Sequence, residues 1–417
     1  MRATNSLVGA LSVAHSPYTL TLSPKRLDTT HSLSRRALQP ADVPLMDYFN
    51  RTDLQWYGNI SVGTPPQNLT VVFDTGSTTL EFASTLCGSA CANQHQFNPN
   101  KSSTFVDGGS SRRIVFSTGV GIDPVVGDNT ALVLRTAKDT VRVADLSASE
   151  VPIYLITNQT PVFLQNPFDG IMGLGAQPVG FLGGLIAQGL PAMFGMLFTP
   201  HDEGGAQLTL GGVDSSQFSG DPTYVVLSND MAPQMWVLSS SGIFVGGKAA
   251  PTPQQLSVIF DSGTSTLAID PTLSKAIYAL ISPEIQPNSA QPGTWGFPCS
   301  ILPLGNATID FAFTSTDGRL FNLTIPADAL SVGPFPTNNP NGTLCQGFIT
   351  DLQGFVIVGG SLLKEYYSIW DVSGHRMGFA KRNGTIAVSH KTGAAATSKR
   401  TSWGVVSALF VAVLLSL

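Results

Sequence analysis

The chain has 417 residues, 27 acidic and 22 basic, for a formal net charge of −5, and only 12% of its residues are charged. Forty-two glycines and 28 prolines favour a turn-rich all-β protein of two domains, and no heptad or long amphipathic-helix pattern competes. Residues 37–390 alone hold 26 acidic against 14 basic side chains, which argues against a nucleic-acid partner and suits an acidic medium, where protonation relieves self-repulsion.

At the start, Arg2, the apolar stretch Leu7 to Val13 and the small-x-small site Ser12-Val13-Ala14 form a short secretory signal over residues 1–14; a mis-set start codon is the competing account of its shortness. Residues 15–36 read as a prosegment, with dibasic processing sites at Lys25-Arg26 and Arg35-Arg36. Nine Asn-x-Ser/Thr sequons, at Asn50, Asn59, Asn68, Asn100, Asn158, Asn306, Asn322, Asn341 and Asn383, point by their density to a glycosylating compartment.

The strand-like run Leu69 to Phe73 ends in Phe73-Asp74-Thr75-Gly76-Ser77, and the same form returns after Leu256 to Phe260 as Phe260-Asp261-Ser262-Gly263-Thr264. Gly173 of Ile171-Met172-Gly173 lies 99 residues after Asp74, and Gly359 of Ile357-Val358-Gly359 lies 98 after Asp261. The chain therefore reads as two diverged copies of one lobe-sized unit. Two carboxylates in matched frames imply one shared site. Gly76 and Gly263 allow backbone to approach the carboxylates and donate hydrogen bonds to them, while Gly173 and Gly359 would pack a neighbouring strand against each turn. Cys87, Cys91, Cys299 and Cys345 permit three pairings. A zinc site is the weaker alternative, because the histidines are scattered and no C-x-x-C or H-x-x-x-H spacing occurs.

Beyond the second unit, residues 384–402 form a linker that includes the small-residue run Gly393-Ala394-Ala395-Ala396 and the polar spacer Thr397 to Ser402. Val405 to Leu417 is apolar to the last residue, but 13 residues fall short of the roughly 20 that a spanning helix needs. The layout matches a glycolipid-anchor signal whose tail, 403–417, is removed; a tail-anchored helix or a secreted form that loses the tail are the alternatives. Either way the location is the secretory pathway, extracellular or at the cell surface.

From about Trp56 to Lys381 the motifs resemble those of the pepsin-like aspartic peptidases. Gly359 to Asp371, followed by Met377-Gly378-Phe379-Ala380, is similar to the family's closing helix and final strands. The resemblance implies an all-β, two-lobed acid-protease fold with short helices, an N-terminal lobe over 37–220, a C-terminal lobe over 221–383, and the active site in the cleft between them. It implies an endopeptidase of acid pH that acts on protein and peptide substrates and is open to pepstatin-type inhibitors. No feature suggests a cofactor, a metal or an oligomer. By resemblance, Asp74 and Asp261 are catalytic, Ser77 and Thr264 hydrogen-bond the outer carboxylate oxygens, and Thr75 and Ser262 tie the two turns together, Ser262 standing where the family more often has Thr. The family's disulfides imply the pairs Cys87–Cys91 and Cys299–Cys345. Its basic prosegment covers the acidic cleft; residues 15–36 are short for that role but have the right charge.

The flap, the hairpin that closes over substrate, would begin near Ile114 and include Phe116, Ser117, Thr118 and Gly119. Where the family usually has Tyr this chain has Phe116, and the Trp that bonds that Tyr is replaced by Glu81. The hydrogen bond that poises the flap is thus absent, which implies a differently gated flap with lower turnover or altered preference. Val72, Glu81, Phe168 and Ile171 would border the substrate pocket and favour large apolar side chains. Glu81 and Asp123 would add a preference for basic residues, although charge near a cleft is more often solvated surface. Two other readings stay open: a non-enzymatic peptide binder of the same fold, and a glycosidase, whose two acids stand farther apart and not in matched turns.

Overall fold

The computed structural model describes residues 37–383, apart from 50, 51, 120, 123, 124, 126, 306 and 336–343. The signal (1–14), prosegment (15–36), linker (384–402) and tail (403–417), like Asp123 and the sequons at Asn50, Asn306 and Asn341, lie outside the described residues. The other six sequon asparagines are exposed, Asn59 and Asn68 included, although both sit in strands.

The body is mostly β, and its α-helices are short: Gly180–Ile186, Pro271–Ile281 and Gly360–Leu363. Local sequence explains these elements. Asp270 caps Pro271–Ile281 by accepting a hydrogen bond from the Thr272 N–H (2.9 Å), with Pro at the first helical position. In Leu146–Gln159, Leu146, Ala148, Val151, Ile153 and Leu155 are buried, and Ser147, Glu150 and Pro152 are exposed. The apolar residues thus stay on one face of the pleat, with the break in phase absorbed at Glu150, whose φ is 54°.

Thirteen strands among the described residues form one continuous sheet. Near one end it joins the two halves of the chain: Met193–Leu197 pairs with the closing strand Tyr366–Asp371, Tyr367 opposite Leu197 and Asp371 opposite Met193. Arg376–Arg382 extends it by pairing with Tyr366–Asp371. Two further sheets, of eight and four strands, are built from residues after 236. Each half carries its own disulfide, Cys87–Cys91 (S–S 2.00 Å) and Cys299–Cys345 (2.06 Å).

The halves meet over a buried aromatic cluster. Phe194 and Trp370 stack with centroids 5.8 Å apart, and Trp236 stands edge-on to both, at 5.9 and 5.2 Å; all three are fully buried. Offset and edge geometries of this kind suit the aromatic quadrupole. Trp236 also satisfies its buried indole N–H by donating to the Leu174 carbonyl (2.9 Å), one residue beyond Gly173. Trp236→Ala should lower stability by about 3–5 kcal/mol, measured by urea unfolding at acid pH. A loss under about 1 kcal/mol would show that the cluster does not hold the halves together.

Candidate active site

Gln67–Asp74 delivers the first motif as an internal strand, with Val71, Val72, Phe73 and Asp74 all buried. Burial on both faces fits a parallel neighbour, and Gly170–Gly173 supplies it, with Val72 opposite Ile171, Phe73 opposite Met172 and Asp74 opposite Gly173. The second half repeats the arrangement: Leu256–Phe260 runs parallel to Val356–Val358, with Ile259 opposite Ile357 and Phe260 opposite Val358. In both halves the same neighbour also pairs antiparallel with the strand after the motif, Leu80 opposite Met172 and Leu267 opposite Val358.

The glycines are required by contact. A Cβ on Gly173 would fall 2.6 Å from the Thr78 backbone, and one on Gly359 would fall 2.0 Å from the Thr264 carbonyl oxygen. A Cβ on Gly76 would lie 2.6 Å from the carboxyl of Asp261. The turn of one half is thus pressed against the acid of the other.

Reciprocal hydrogen bonds fix that approach. The Thr75 N–H donates to Ser262 Oγ (3.0 Å) and the Ser262 N–H to Thr75 Oγ1 (2.8 Å). The two hydroxyls donate onward across the interface, Thr75 to the Phe260 carbonyl (3.2 Å) and Ser262 to the Phe73 carbonyl (2.7 Å). Asp74 Oδ1 accepts from the Gly76 N–H (2.9 Å) and Asp261 Oδ1 from the Gly263 N–H (2.8 Å). The outer oxygens differ. Thr264 donates to Asp261 Oδ2 at 2.6 Å, whereas Asp74 Oδ2 and Ser77 Oγ are buried without a hydrogen bond of full geometry.

Both aspartates are completely buried. Burial is the main force that raises the Asp74 carboxyl well above the ordinary range, and the neighbouring Asp261 charge adds to it. Asp261 is also raised by burial, but Asp74, Thr264 and the backbone amides that hydrogen-bond it oppose the rise. Two carboxyl groups placed together in this way hold one proton between them.

The flap residues lie over the second motif. Thr118 is buried with its hydroxyl 2.9 Å from Thr264 Oγ1, the Gly121 N–H donates to Ser265 Oγ (2.8 Å), and Ser117 is exposed. Gly119 is half-buried, its carbonyl accepting a long bond from the Ser265 N–H (3.5 Å). Phe116 is buried edge-on to Phe163 at 5.9 Å. Val72, Phe168 and Ile171 belong to the same apolar cluster.

Gln55 is a participant that the sequence did not reveal. It is 1% exposed, and its amide donates to the Ser262 carbonyl (2.6 Å) from the other half of the chain. A single Gln beside Trp56 in a strand carries no mark of this; only the fold brings it within reach.

The model of the family described as eukaryotic aspartyl protease matches residues 55–382. The chain is 32% identical over 356 residues to Pepsin A of Suncus murinus, covering 82% of this chain and 84% of that one. It is 29% identical to the embryonic pepsinogen of Gallus gallus, covering 80% and 82% of the two chains, and 29% identical to Rhizopuspepsin-4 of Rhizopus niveus, covering 79% and 77%.

The chain belongs to the eukaryotic aspartyl protease family. It is an aspartic-type endopeptidase with the pepsin-like fold. Within this aspartyl protease one pocket residue is not where a charged side chain is usually found: Glu81 is completely buried, not solvated, and neither of its carboxyl oxygens has a hydrogen bond of full geometry. Burial pushes it from its ordinary 4.5 up to about 7, with Thr79 and the Arg112 charge pulling the other way.

A raised carboxyl makes the fold pH-dependent in a definite direction. Below pH 4.5 Glu81 is protonated in both the folded and unfolded chain. Between there and about 7 the folded chain keeps a proton that the unfolded chain gives up, so stability falls as pH rises. Glu81→Gln should therefore match the parent at pH 4 and exceed it by about 3 kcal/mol at pH 7.5, measured by denaturant unfolding at both values. Equal stability at pH 7.5 would contradict the raised carboxyl.

Proposed function

We propose that this endopeptidase hydrolyses peptide bonds in proteins at acid pH through a water activated by the pair Asp74 and Asp261. The observation that carries the reading is the reciprocal Thr75–Ser262 hydrogen bonding that holds two fully buried carboxyls against each other. The aspartic-protease dyad is the standard example of two such groups sharing a proton. The ionised member takes a proton from the water as general base, and the protonated member donates to the carbonyl oxygen of the scissile bond. A tetrahedral diol forms, and the roles reverse as the amine leaves. No covalent enzyme intermediate is required.

Gly76 and Gly263 hold the inner oxygens through their amides, Thr264 and Ser77 attend the outer ones, and Thr75 and Ser262 keep the two turns in register. Phe116 to Gly119 cover the site. Val72, Phe168 and Ile171 favour large apolar side chains next to the scissile bond. Pepstatin-type inhibitors, whose hydroxyl mimics the diol, fit the same pair. The charge and motifs of the termini support synthesis as a secreted precursor, loss of residues 1–36 before activity, and glycolipid attachment within 384–402.

The test is cleavage of denatured haemoglobin from pH 2.5 to 7, after removal of residues 1–36. Asp74→Asn and Asp261→Asn should each lower activity by about 100-fold to 10,000-fold or more. The variants should remain folded, since each replaces a buried carboxyl by a neutral isostere. A folded, processed parent that cleaves nothing and binds no statine-type peptide would sink the peptidase mechanism and leave a peptide-binding role.

A further inference from the structure

The repeat within the chain isolates one side chain that the fold does not need. Glu81 lies seven residues after Asp74 and Ala268 seven after Asp261. The two hold the same place in the same three-strand arrangement, Glu81 opposite Ile171 and Ala268 opposite Ile357. Ala268 is buried among Met235, Val237, Ile259 and Ile357. An apolar residue therefore meets every structural demand of that position. At Glu81 the chain instead buries a carboxyl completely and gives it no hydrogen bond of full geometry. Such burial is costly, and a local rule broken without internal return is the usual mark of a functional position.

Its surroundings indicate what Glu81 faces. With Leu132, Ile156, Phe163, Phe168 and Ile171, and with Gln94, Gln159 and Asn166 as polar members of the wall, it lines a small, partly open cavity of about 10 Å³, room for roughly one water. Phe163, on that wall, packs against Phe116 of the flap. Ile171 stands between Glu81 and Val72 in the sheet, and Val72 is two residues from Asp74. Glu81 thus sits two strands, about 10 Å, from the strand that carries the first aspartate. Admission of a substrate side chain to so small a space requires Phe116 and Phe163 to move apart.

We propose that Glu81 is the specificity-determining residue of this subsite and that it admits a cationic substrate side chain, lysine or arginine, alongside the apolar ones. The proposal deepens the peptidase reading and rests on it. A long basic side chain lays its methylenes along Phe163, Phe168 and Ile171 and brings its charge to the carboxylate, adding a direct ion pair to the Thr79 hydroxyl and the more distant Arg112 charge. Other charges near the pocket do not fill that role. Arg112, on the strand Val106–Val115, acts on Glu81 from a distance while its guanidinium lies over the Tyr154 ring at 4.2 Å. Tyr154 is the residue opposite Glu81 on Leu146–Gln159. Asp169 lines the same cavity, but its oxygens accept from the Thr70 N–H and hydroxyl and the His95 N–H, and one lies 3.3 Å from the His95 ring nitrogen. Thr79 offers only a hydroxyl. In acid Glu81 is neutral and offers the pocket no charge. As pH rises the carboxylate forms and the preference for a cation grows.

The test uses paired peptides in which each residue flanking the scissile bond is either lysine or its neutral counterpart norleucine. The ratio of kcat/KM, lysine over norleucine, is read from pH 3.5 to 6.5, so a general loss of activity cancels. In the parent the ratio at one flanking position should rise with pH, and Glu81→Gln should lower it by about tenfold or more and flatten its pH profile. A ratio that Glu81→Gln leaves unchanged at both positions overturns the proposal and makes Glu81 a structural partner of Arg112. If the parent cleaves neither peptide, the peptidase reading fails separately. The same comparison is then made on the Kd of statine-type peptides carrying lysine or norleucine, where equal affinity in parent and Glu81→Gln overturns the proposal and a tenfold lysine preference lost in the variant upholds it.

Discussion

The arrangement depends on a small set of hydrogen bonds between two turns from different halves of the chain. Thr75 and Ser262 each give a backbone N–H to the other's hydroxyl and pass their own hydroxyl protons to the Phe260 and Phe73 carbonyls. Every donor and acceptor involved is buried, so a missing partner would leave a polar group unpaid in a dry interior. The exchange therefore tolerates little displacement. That rigidity lets Gly76 sit against the Asp261 carboxyl and keeps two acids together despite their burial and mutual repulsion. The shared sheet through Met193–Leu197 and Tyr366–Asp371, with Trp236 packed beneath it, holds the halves in the register these bonds require.

Much of the site was legible because its demands fall on residue type. A backbone that must pass a carboxylate or a neighbouring turn leaves glycine, as at Gly76, Gly173 and Gly359, and hydroxyls that must both donate and accept leave Thr75 and Ser262. These demands recur at equal offsets in the two halves, which turned a weak four-residue pattern into a strong one. The cysteine pairs were likewise reached through resemblance and are joined as expected. What was not legible depends on contacts between distant segments. Gln55 reaches Ser262 across 207 positions, and Tyr366–Asp371 finds Met193–Leu197 rather than a neighbour in sequence. Local periodicity does not encode such pairings. Glu81 shows the same limit: a Glu after a strand turn reads as surface, and only the packing of Phe163, Phe168 and Ile171 around it reveals an interior position.

The two halves share a plan but not its details, and the differences fall where substrate would be handled. Thr264 donates to Asp261 and lies within hydrogen-bonding distance of Thr118 on the flap, so the flap, the second turn and the second acid form one connected chain of hydroxyls. Ser77, its counterpart, makes no equivalent bond of full geometry. Both carboxyls are desolvated and raised, and a hydroxyl opposes the rise at each, Ser77 at Asp74 and Thr264 at Asp261; only the Thr264 contact is a hydrogen bond of full geometry. Glu81 and Ala268 differ in the same sense, one half keeping an ionisable group where the other keeps a methyl.

These features converge on acid conditions. Asp74, Asp261 and Glu81 are all raised, with burial the leading cause in each, and each therefore burdens the folded state more as pH rises. The excess of acidic over basic side chains in residues 37–390 acts in the same direction, since surface carboxylates repel one another most when fully ionised. In acid the buried groups approach neutrality and the surface charge falls, while the dyad still keeps one proton and one charge between its members. The raised titration of Asp74 and Asp261, which the proposed general acid and base chemistry uses, thus comes from the same burial that makes the fold favour acid. On the proposed mechanism, stability and catalysis cannot be tuned to different pH ranges without moving the carboxyls out of the core that brings them together.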